Sequence, residues 1–266
     1  MPYITTAGGI RASYEQAGTG PALMMVHGAS QDTLSWQHNI DYFAKHYTVY
    51  ALDLPGHGKS GLPPTGPHTK TVDNATYVLE VIQALGLHQP VLMGHSMGGG
   101  IVAQVAVMAS DIVKGLVLVD GASVNVVQSS GYNPSILEMA RINPGDWFEV
   151  TFRTLMGSTT DPDRAEEIVM DARRCIPAVA FADICAFGGN RMETILDDIV
   201  CPVVITEGSE DWSVPPASAQ EVARLLRARQ IPVEYLEWAG VGHFPQSEYP
   251  EGFNNDTLAA MRRLNL

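Results

Sequence analysis

Six short apolar segments constrain the fold of this chain more than any other feature. Each ends in or near glycine, aspartate, serine or histidine: ALMMVHG, YTVYALDLPG, PVLMGHS, GLVLVDGAS, CPVVITEGSED and VEYLEWAGVGH. Segments that are apolar throughout are typical of strands covered on both faces, as in a parallel sheet. Helical patterns lie between them, at residues 34–45, 72–85, 97–108 and 216–229. This alternation predicts a doubly wound, mostly parallel α/β fold.

Two regions depart from this alternation. The opening YITTAGGIRASYEQAG alternates weakly and turns at residues 7–9, which predicts an N-terminal antiparallel hairpin. Between residues 122 and 195 no strand pattern occurs, and four segments have helical character: NPSILEMARI, GDWFEVTFRTLM, RAEEIVMDARRC and PAVAFADICAF. We therefore expect an α/β core of residues 1–121 and 196–266, with residues 122–195 inserted as a helical lid.

Composition and charge exclude several classes of protein. The 266 residues are 45% hydrophobic and 17% charged, which is typical of a folded globular chain. A net charge of −13 argues against a surface that binds nucleic acid or anionic membranes. No long apolar run or signal-peptide pattern is present, so a cytoplasmic protein with a small-molecule substrate is expected. Cys175, Cys185 and Cys201 lack CxxC spacing and are predicted to be free thiols.

The segment Gly94-His95-Ser96-Met97-Gly98 fits the pattern G-x-S-x-G at a strand-to-helix junction. In an open parallel sheet, ligands bind beyond the carboxyl ends of the strands, where Ser96 is expected to lie. A very tight turn at the serine leaves no room for side chains two residues before and after it, which explains the two glycines. Ser96 is therefore the candidate nucleophile, exposed at the N-terminus of a helix.

A serine nucleophile needs a base, and the base needs an orienting carboxylate. His243 follows VEYLEW and is the only one of the eight histidines beyond position 95, so it is the predicted base. Asp211 follows CPVVIT and is the predicted carboxylate, with Asp120, Glu207 and Glu210 as alternatives.

The segment His27-Gly28-Ala29-Ser30 follows the strand ALMMV. The N–H groups of Ala29 and Met97 are the predicted donors to an oxyanion, and Ser30 is the alternative. His27 and His57 lie beside glycines in predicted turns and receive no functional role. No HExxH or comparable spacing occurs, so no metal site is expected.

Three motifs together resemble the α/β-hydrolase superfamily: HGAS with Trp36 downstream, DLPGHGKS at residues 53–60, and GHSMGG. The chain order serine, aspartate, histidine is also that of these enzymes. The resemblance covers nearly the whole chain. It implies hydrolysis through an acyl-enzyme on Ser96 with no cofactor, but it says little about the substrate, because this fold hosts many chemistries.

At several positions this chain differs from particular branches of the superfamily, and these differences argue against the activities of those branches. Ser96 argues against dehalogenases and epoxide hydrolases, which resemble this chain but use an aspartate nucleophile. No lysine lies between the predicted acid and base, unlike in hydroxynitrile lyases. Gly100 stands where the menaquinone-pathway lyases have arginine. His95 and Phe244 stand where carbon-carbon bond hydrolases typically have asparagine and tryptophan.

What remains resembles carboxylic ester hydrolases, including acyl-homoserine lactone lactonases, and the cofactor-free haloperoxidases. The leading hypothesis is a serine hydrolase of a small to medium, largely apolar ester or lactone. Hydrolysis of a carbon-carbon bond in a vinylogous diketone by the same residues stays open. So does a ligand receptor that kept the fold without catalysis.

Large apolar residues of the lid are expected to line a hydrophobic pocket as a group, although each one alone is equally typical of core packing. They are Trp147, Phe148, Phe152, Leu155, Met156, Phe181, Phe187 and Met192. The residues assigned to the pocket are Ser30, Trp147, Phe152, Met156 and Phe244. The lid's basic residues are all arginines, expected to be solvated or ion-paired rather than to clamp a substrate: Arg141, Arg153, Arg164, Arg173, Arg174 and Arg191.

Overall fold

A single eight-stranded sheet forms the centre of the molecule, whose computed structural model describes residues 2–124, 141–189 and 192–266. The strands are β1 (Tyr3–Thr5), β2 (Arg11–Ala17), β3 (Ala22–Val26), β4 (Thr48–Leu52), β5 (Val91–His95), β6 (Gly115–Val119), β7 (Val203–Gly208) and β8 (Val233–Trp238). Their order is β1-β2-β4-β3-β5-β6-β7-β8. The β1–β2 and β2–β4 pairs are antiparallel, and every other pair is parallel. The predicted α/β fold with an N-terminal hairpin is confirmed.

Nine α-helices lie in the described part of the chain. They are α1 (Ile40–Phe43), α2 (Thr71–Ala84), α3 (Met97–Met108), α4 (Pro144–Leu155), α5 (Pro162–Arg174), α6 (Pro177–Gly188), α7 (Pro216–Ala228), α8 (Pro245–Glu248) and α9 (Pro250–Arg263). Helices α4 to α9 each begin with proline, whose fixed φ suits the first helical position. Helices α4, α5 and α6 lie between β6 and β7, in the segment predicted as a lid. The segment NPSILEMARI lies outside the described residues except for Arg141 and Ile142.

Alternate residues of each central strand face opposite layers of helices. In β3, Leu23 and Met25 pack against one layer, which includes α1 and α9, while Met24 and Val26 pack against α2 and α3. All four are fully buried. Both faces are covered, and this explains why the central strands are apolar without interruption.

Residues 34–45 do not form the single helix that their pattern predicts. The Asp32 carboxylate accepts the N–H of Leu34 at 2.8 Å and starts a short 3₁₀ turn instead. Helix α1 begins only after Asn39, whose buried side-chain amide donates to Asn254 Oδ1 at 2.8 Å. This contact ties the loop to α9, so a tertiary hydrogen bond overrides the helical preference of the segment.

The C-terminal end of the sheet differs from the prediction in two ways. Strand β8 is an edge strand that pairs with β7 alone, and its residues are half-buried or exposed rather than covered on both faces. Helix α9 was not predicted. It packs its buried Phe253 and Met261 against the sheet.

Helices α4, α5 and α6 have a small apolar cluster of their own. It contains Phe148, Phe152, Ile168 and Ile184, together with Phe244 from the α/β core. Within the described ranges, every helix is too short or too polar to cross a lipid bilayer. The three cysteines are free thiols, as predicted.

Replacing Phe253 by alanine is expected to lower the free energy of unfolding by about 3–5 kcal/mol, because it leaves a cavity beneath the sheet. Phe253 is 0% exposed. Urea denaturation followed by circular dichroism measures the change. Val200→Ala, at a position 63% exposed, serves as the control and is expected to stay within about 0.5 kcal/mol of the wild type. Equal stabilities of the two variants would contradict the packing described for α9.

Candidate active site

Ser96 lies in a strained turn between β5 and α3. Its backbone has φ 51° and ψ −119°, a region that residues other than glycine rarely adopt. A Cβ on Gly98 would lie 2.5 Å from the carbonyl oxygen of Val26, and one on Gly94 would lie 2.2 Å from the Gly98 carbonyl oxygen. The two glycines therefore let strand, turn and helix approach closely, as the sequence pattern predicts.

Ser96, His243 and Asp211, which we call the candidate triad, meet at the carboxyl edge of the sheet. His243 Nε2 lies 2.8 Å from Ser96 Oγ, and His243 Nδ1 lies 2.6 Å from Asp211 Oδ2. The other carboxylate oxygen of Asp211 accepts the N–H of Ser213 at 2.7 Å and that of Val214 at 3.2 Å. The residues of the triad are only 7%, 4% and 3% exposed, so their hydrogen bonds are shielded from water. The structure thus brings together the three residues that the sequence pattern selects.

The turn at residues 27–31, which we call the Ala29 turn, presents an unused donor beside Ser96. The Gly28 N–H donates to Gln31 Oε1 at 3.2 Å, and the Ser30 N–H donates to Asp183 Oδ2 at 2.7 Å. Between them, the N–H of Ala29 has no acceptor in the described part of the chain. The same is true of the N–H of Met97, the first residue of α3. Two predicted oxyanion donors are therefore available.

A small cavity of about 20 Å³ adjoins the candidate triad. Its lining is mostly apolar: Ala29, Gln31, His95, Ser96, Phe148, Thr151, Phe152, Leu155, His243 and Phe244. A cavity of this volume has room for one water molecule. Of the residues assigned to the pocket, Phe152 and Phe244 line the cavity, whereas Ser30, Trp147 and Met156 are absent from its lining.

Of the other large apolar residues in the segment predicted as a lid, four lie at the cavity or in the core, and Phe181 is half-buried and belongs to neither. Phe148 and Leu155 line the cavity, while Phe187 and Met192 join the main hydrophobic core. Four lid arginines form ion pairs, as expected: Arg153 with Glu166, Arg164 with Glu167, Arg173 with Glu149, and Arg174 with Asp32 and Asp171. Arg141 is exposed, and Arg191 lies outside the described residues.

The loop that carries His243 is held by α4 and by Glu248. The His243 N–H donates to the carbonyl oxygen of Leu155, at the end of α4, at 2.9 Å. Glu248 accepts the N–H groups of Phe244 at 2.9 Å, Gly242 at 3.0 Å and Gly157 at 2.8 Å. The position of the histidine thus depends on a contact with α4, in the segment predicted as a lid. Glu248 was missed by the sequence analysis, because a lone glutamate after the histidine carries no recognisable pattern.

His95 and His27 are buried, and both are held in the neutral form. Burial and the nearby His243 lower the pKa of His95 well below its usual value. Its ring nitrogens lie 2.8 Å from Gln31 Oε1 and 2.7 Å from the His243 carbonyl oxygen, and the single N–H of the neutral ring donates to one of these oxygens. Burial, followed by the charge of His57, lowers the pKa of His27 to about 4. His27 Nε2 accepts the N–H of Leu54 at 3.0 Å, so both rings serve as fixed spacers around the candidate triad.

Asp120, Glu207 and Asp211 form a group of buried carboxyls behind His243. Burial raises the pKa of Asp120 and Glu207 well above the usual range, and the negative charge of their acidic neighbours adds to the effect. Neither Glu207 carboxyl oxygen, nor Oδ2 of Asp120, has a hydrogen-bond partner among the described residues. Asp120 Oδ1 accepts the N–H of Gly208 at 2.9 Å.

Among residues 2–124, 141–189 and 192–266, two sets of side chains each bring three potential metal-ligand atoms within 4.8 Å of one another. One contains Asp120, Asp211 and His243. The other contains His57, Cys175 and Asp183. In each set an imidazole contacts a carboxylate. His243 Nδ1 lies 2.6 Å from Asp211 Oδ2, and His57 Nε2 lies 2.8 Å from Asp183 Oδ2. The pairing of His57 was missed, because its partner lies 126 residues away.

Gly98→Ala is expected to lower both the yield of folded protein and its melting temperature. The added Cβ meets the backbone of Val26, which cannot move without displacing β3. Gly188→Ala is the matched control, because a Cβ at that helical position meets nothing within 4 Å. Differential scanning calorimetry compares the two. A Gly98→Ala melting temperature equal to that of the control would refute the tight turn.

Glu207→Gln is expected to stabilise the protein increasingly as pH rises. The folded-state pKa of Glu207 lies above its unfolded value of about 4.3, so its favourable contribution is complete at low pH and is lost as pH rises through the folded pKa. The stability difference between variant and wild type should grow with a slope of at most about 1.4 kcal/mol per pH unit. Urea titrations from pH 5 to about pH 9 measure it. Glu15→Gln, on the half-exposed strand β2, is the control; parallel stability curves for Glu207→Gln and the wild type would contradict the raised pKa.

The chain is similar to several known proteins. A dihydrolipoyllysine-residue acetyltransferase component of the acetoin cleaving system from Cupriavidus necator is 38% identical over 125 residues, which are 47% of this chain and 33% of that protein. A 2-hydroxy-6-oxo-6-(2'-aminophenyl)hexa-2,4-dienoic acid hydrolase from Metapseudomonas resinovorans is 25% identical over 97% of this chain and 89% of its own length. The first of these matches thus spans about a third of its relative's length.

The fold is also found among solved structures. A thermophilic esterase from Thermogutta terrifontis superposes with a TM-score of 0.87 at 24% identity, over 100% of this chain and 99% of that one. The sequence profile of the alpha/beta hydrolase family matches residues 23–256, which include all three members of the candidate triad. The chain therefore belongs to the alpha/beta hydrolase family.

Proposed function

We propose that the protein is a serine hydrolase that cleaves a small to medium, largely apolar carboxylic ester or lactone. The observation that carries this proposal is the continuous hydrogen-bonded line from Ser96 Oγ through His243 to Asp211, with distances of 2.8 and 2.6 Å. Such a line makes a serine hydroxyl nucleophilic without a cofactor. The unused N–H groups of Ala29 and Met97 beside it support acyl transfer, because that reaction develops a negative charge on oxygen.

In the proposed acylation, Ser96 Oγ attacks the carbonyl carbon while His243 Nε2 takes its proton. The Asp211 carboxylate accepts the Nδ1–H of His243 and stabilises the imidazolium that forms. The Ala29 and Met97 N–H groups donate to the negatively charged oxygen of the tetrahedral intermediate. When the carbon–oxygen bond to the alcohol breaks, His243 returns the proton to the leaving oxygen. For a lactone, that oxygen stays attached to the acyl chain.

Water completes the cycle in the second half of the reaction. His243 Nε2 removes a proton from the water as its oxygen attacks the acyl-enzyme, and then returns that proton to Ser96 Oγ as the acid leaves. The hydrogen bond of 2.6 Å between His243 Nδ1 and Asp211 Oδ2 supports this role, because it holds the imidazole in place through both half-reactions.

The surroundings of Ser96 support an apolar substrate enclosed by a lid. Phe148, Phe152 and Leu155 of α4 line the cavity together with Phe244, whose ring packs against that of Phe152. A cavity of about 20 Å³ is too small for any ester, so residues 122–195 act as a lid that moves to admit the substrate. Contact with these aromatic and aliphatic side chains favours an apolar acyl or alcohol group.

Carbon-carbon bond hydrolysis of a vinylogous diketone is the second candidate, favoured by the full-length similarity to a dienoic acid hydrolase. That substrate class carries a carboxylate, yet the described lining of the cavity contains no lysine or arginine. Arg174, on α5, is already paired with Asp32 and Asp171. Ester hydrolysis is the better match to the site for this reason.

Ser96→Ala is expected to reduce turnover by about 10⁴-fold or more, because it removes the atom that forms the acyl-enzyme. Proton release in a pH-stat, across a panel of short and medium esters and lactones, measures it. Ser158→Ala, which removes an exposed hydroxyl bonded to Glu210, is the control and should keep wild-type turnover. A fluorophosphonate should label the wild type at Ser96 and leave Ser96→Ala unlabelled.

The same panel separates the candidate functions. Unchanged turnover in Ser96→Ala would refute the proposal. Faster turnover of vinylogous diketones than of every ester would favour carbon-carbon bond hydrolysis. Folded wild type that neither turns over any substrate nor reacts with the fluorophosphonate would indicate a protein without catalytic activity.

A further inference from the structure

A buried carboxylate of the lid contacts the Ala29 turn. Asp183 lies on α6 and is 1% exposed. Its Oδ2 accepts the N–H of Ser30 at 2.7 Å and lies 2.8 Å from Nε2 of the equally buried His57. One carboxylate oxygen therefore joins the lid to two loops of the α/β core, those that follow β3 and β4.

This arrangement exists only while α6 is docked on the core. Burial alone lowers the pKa of His57, but the Asp183 carboxylate and the Cys175 thiol raise it well above its usual value, so His57 and Asp183 form an ion pair. Removing one partner of such a pair strands a buried charge, which is strongly unfavourable. Lifting α6 would separate the pair and release the Ser30 N–H in the same movement.

The released group belongs to the peptide that follows Ala29. Ser30 has φ 60°, a left-handed conformation that a residue other than glycine keeps only when its surroundings hold it there. On one side of Ala29, the Gly28 N–H donates to Gln31. On the other side, the Ser30 N–H donates to Asp183. The direction of the Ala29 N–H is therefore set from both sides, and one of the two contacts comes from the lid.

We propose that Asp183, with His57 as its counter-ion, is a positioning residue that aims the Ala29 N–H at the reacting carbonyl oxygen when the lid closes. This inference rests on the proposed serine hydrolase function. It couples two events: the donor that stabilises the oxyanion is in place only when α6 has docked and water is largely excluded. An open lid binds substrate without a complete oxyanion site.

The test compares Asp183→Asn and Asp183→Ala with the wild type on the best ester of the panel. Asparagine keeps an oxygen that can accept the Ser30 N–H but loses the charge, so kcat should fall by about 10-fold; alanine loses both, and kcat should fall by about 100-fold. KM should change little, because the apolar cavity is intact. Glu167→Gln is the matched control, since Glu167 also forms a histidine–carboxylate contact between lid and core, with His38 at 2.8 Å. It should keep the wild-type kcat.

A second measurement excludes a merely structural role. In a trifluoromethyl ketone analogue of the ester, Ser96 Oγ adds to the carbonyl carbon and forms a hemiketal. The negatively charged oxygen of this hemiketal requires the Ala29 N–H as a donor. An ether analogue, in which a methylene group replaces the carbonyl group of the ester, has no electrophilic carbon. Its binding does not depend on the Ala29 donor. Inhibition constants for the ketone should weaken in Asp183→Asn and Asp183→Ala in proportion to the loss of kcat, while those for the ether stay unchanged. Equal weakening of both inhibitors, or a wild-type kcat in both variants, would overturn the proposal.

One further variant, His57→Gln, keeps the result decisive. Where Asp183→Ala does not fold, Asp183→Asn and His57→Gln decide, and both should reduce kcat more than KM. A loss confined to KM in these variants would overturn the proposal. Fluorophosphonate labelling of Ser96 separates this outcome from failure of the proposed function, because a labelled, active wild type with fully active Asp183 variants refutes only the positioning role.

Discussion

The close approach of β3, β5 and α3 at Ser96 is the constraint on which the rest of the site depends. The turn is possible because Gly94 and Gly98 have no side chains to collide with neighbouring backbone. It leaves Ser96 in a strained conformation, held from outside by a hydrogen bond from its N–H to the carbonyl oxygen of Val119 at 2.8 Å. The parallel sheet therefore both creates the strain and supplies the contacts that maintain it.

Around this turn, buried polar groups connect parts of the chain that are far apart in sequence. Glu248 joins the histidine loop to the end of α4, and Asp183 joins α6 to the Ala29 turn. His95 stands between the Ala29 turn and the histidine loop. The contacts of Asp183 and His95 are buried and those of Glu248 are partly buried, so leaving one of these groups unpaired is costly. Contacts between the α/β core and helices α4 and α6 therefore surround the candidate triad.

Sequence patterns predicted the sheet, its hairpin and the candidate triad, because these features depend on local periodicity and on residues that follow strands. They failed where the local structure depends on a partner that is distant in sequence. The hydrogen bond from Asn39 to Asn254 on α9 interrupts a segment with a helical pattern, and His57 pairs with Asp183 across 126 residues. Trp147 and Met156 were assigned to the pocket from composition alone. A helical stripe does not show which of its apolar members face a cavity, and the structure places Phe148 and Leu155 there.

The two edge strands of the sheet affect how readily one molecule can pair its strands with those of another. Exposed strand edges offer unpaired N–H and carbonyl groups on which another chain can add a strand. Here one edge, β1, is only three residues long, and the other, β8, carries Glu234 and Glu237. Pairing two copies through β8 would bring these glutamates towards each other, although Glu234 is already ion-paired with Arg263 at 2.7 Å. A short strand at one edge and acidic side chains at the other are features that disfavour the addition of a further strand to a sheet with apolar central strands.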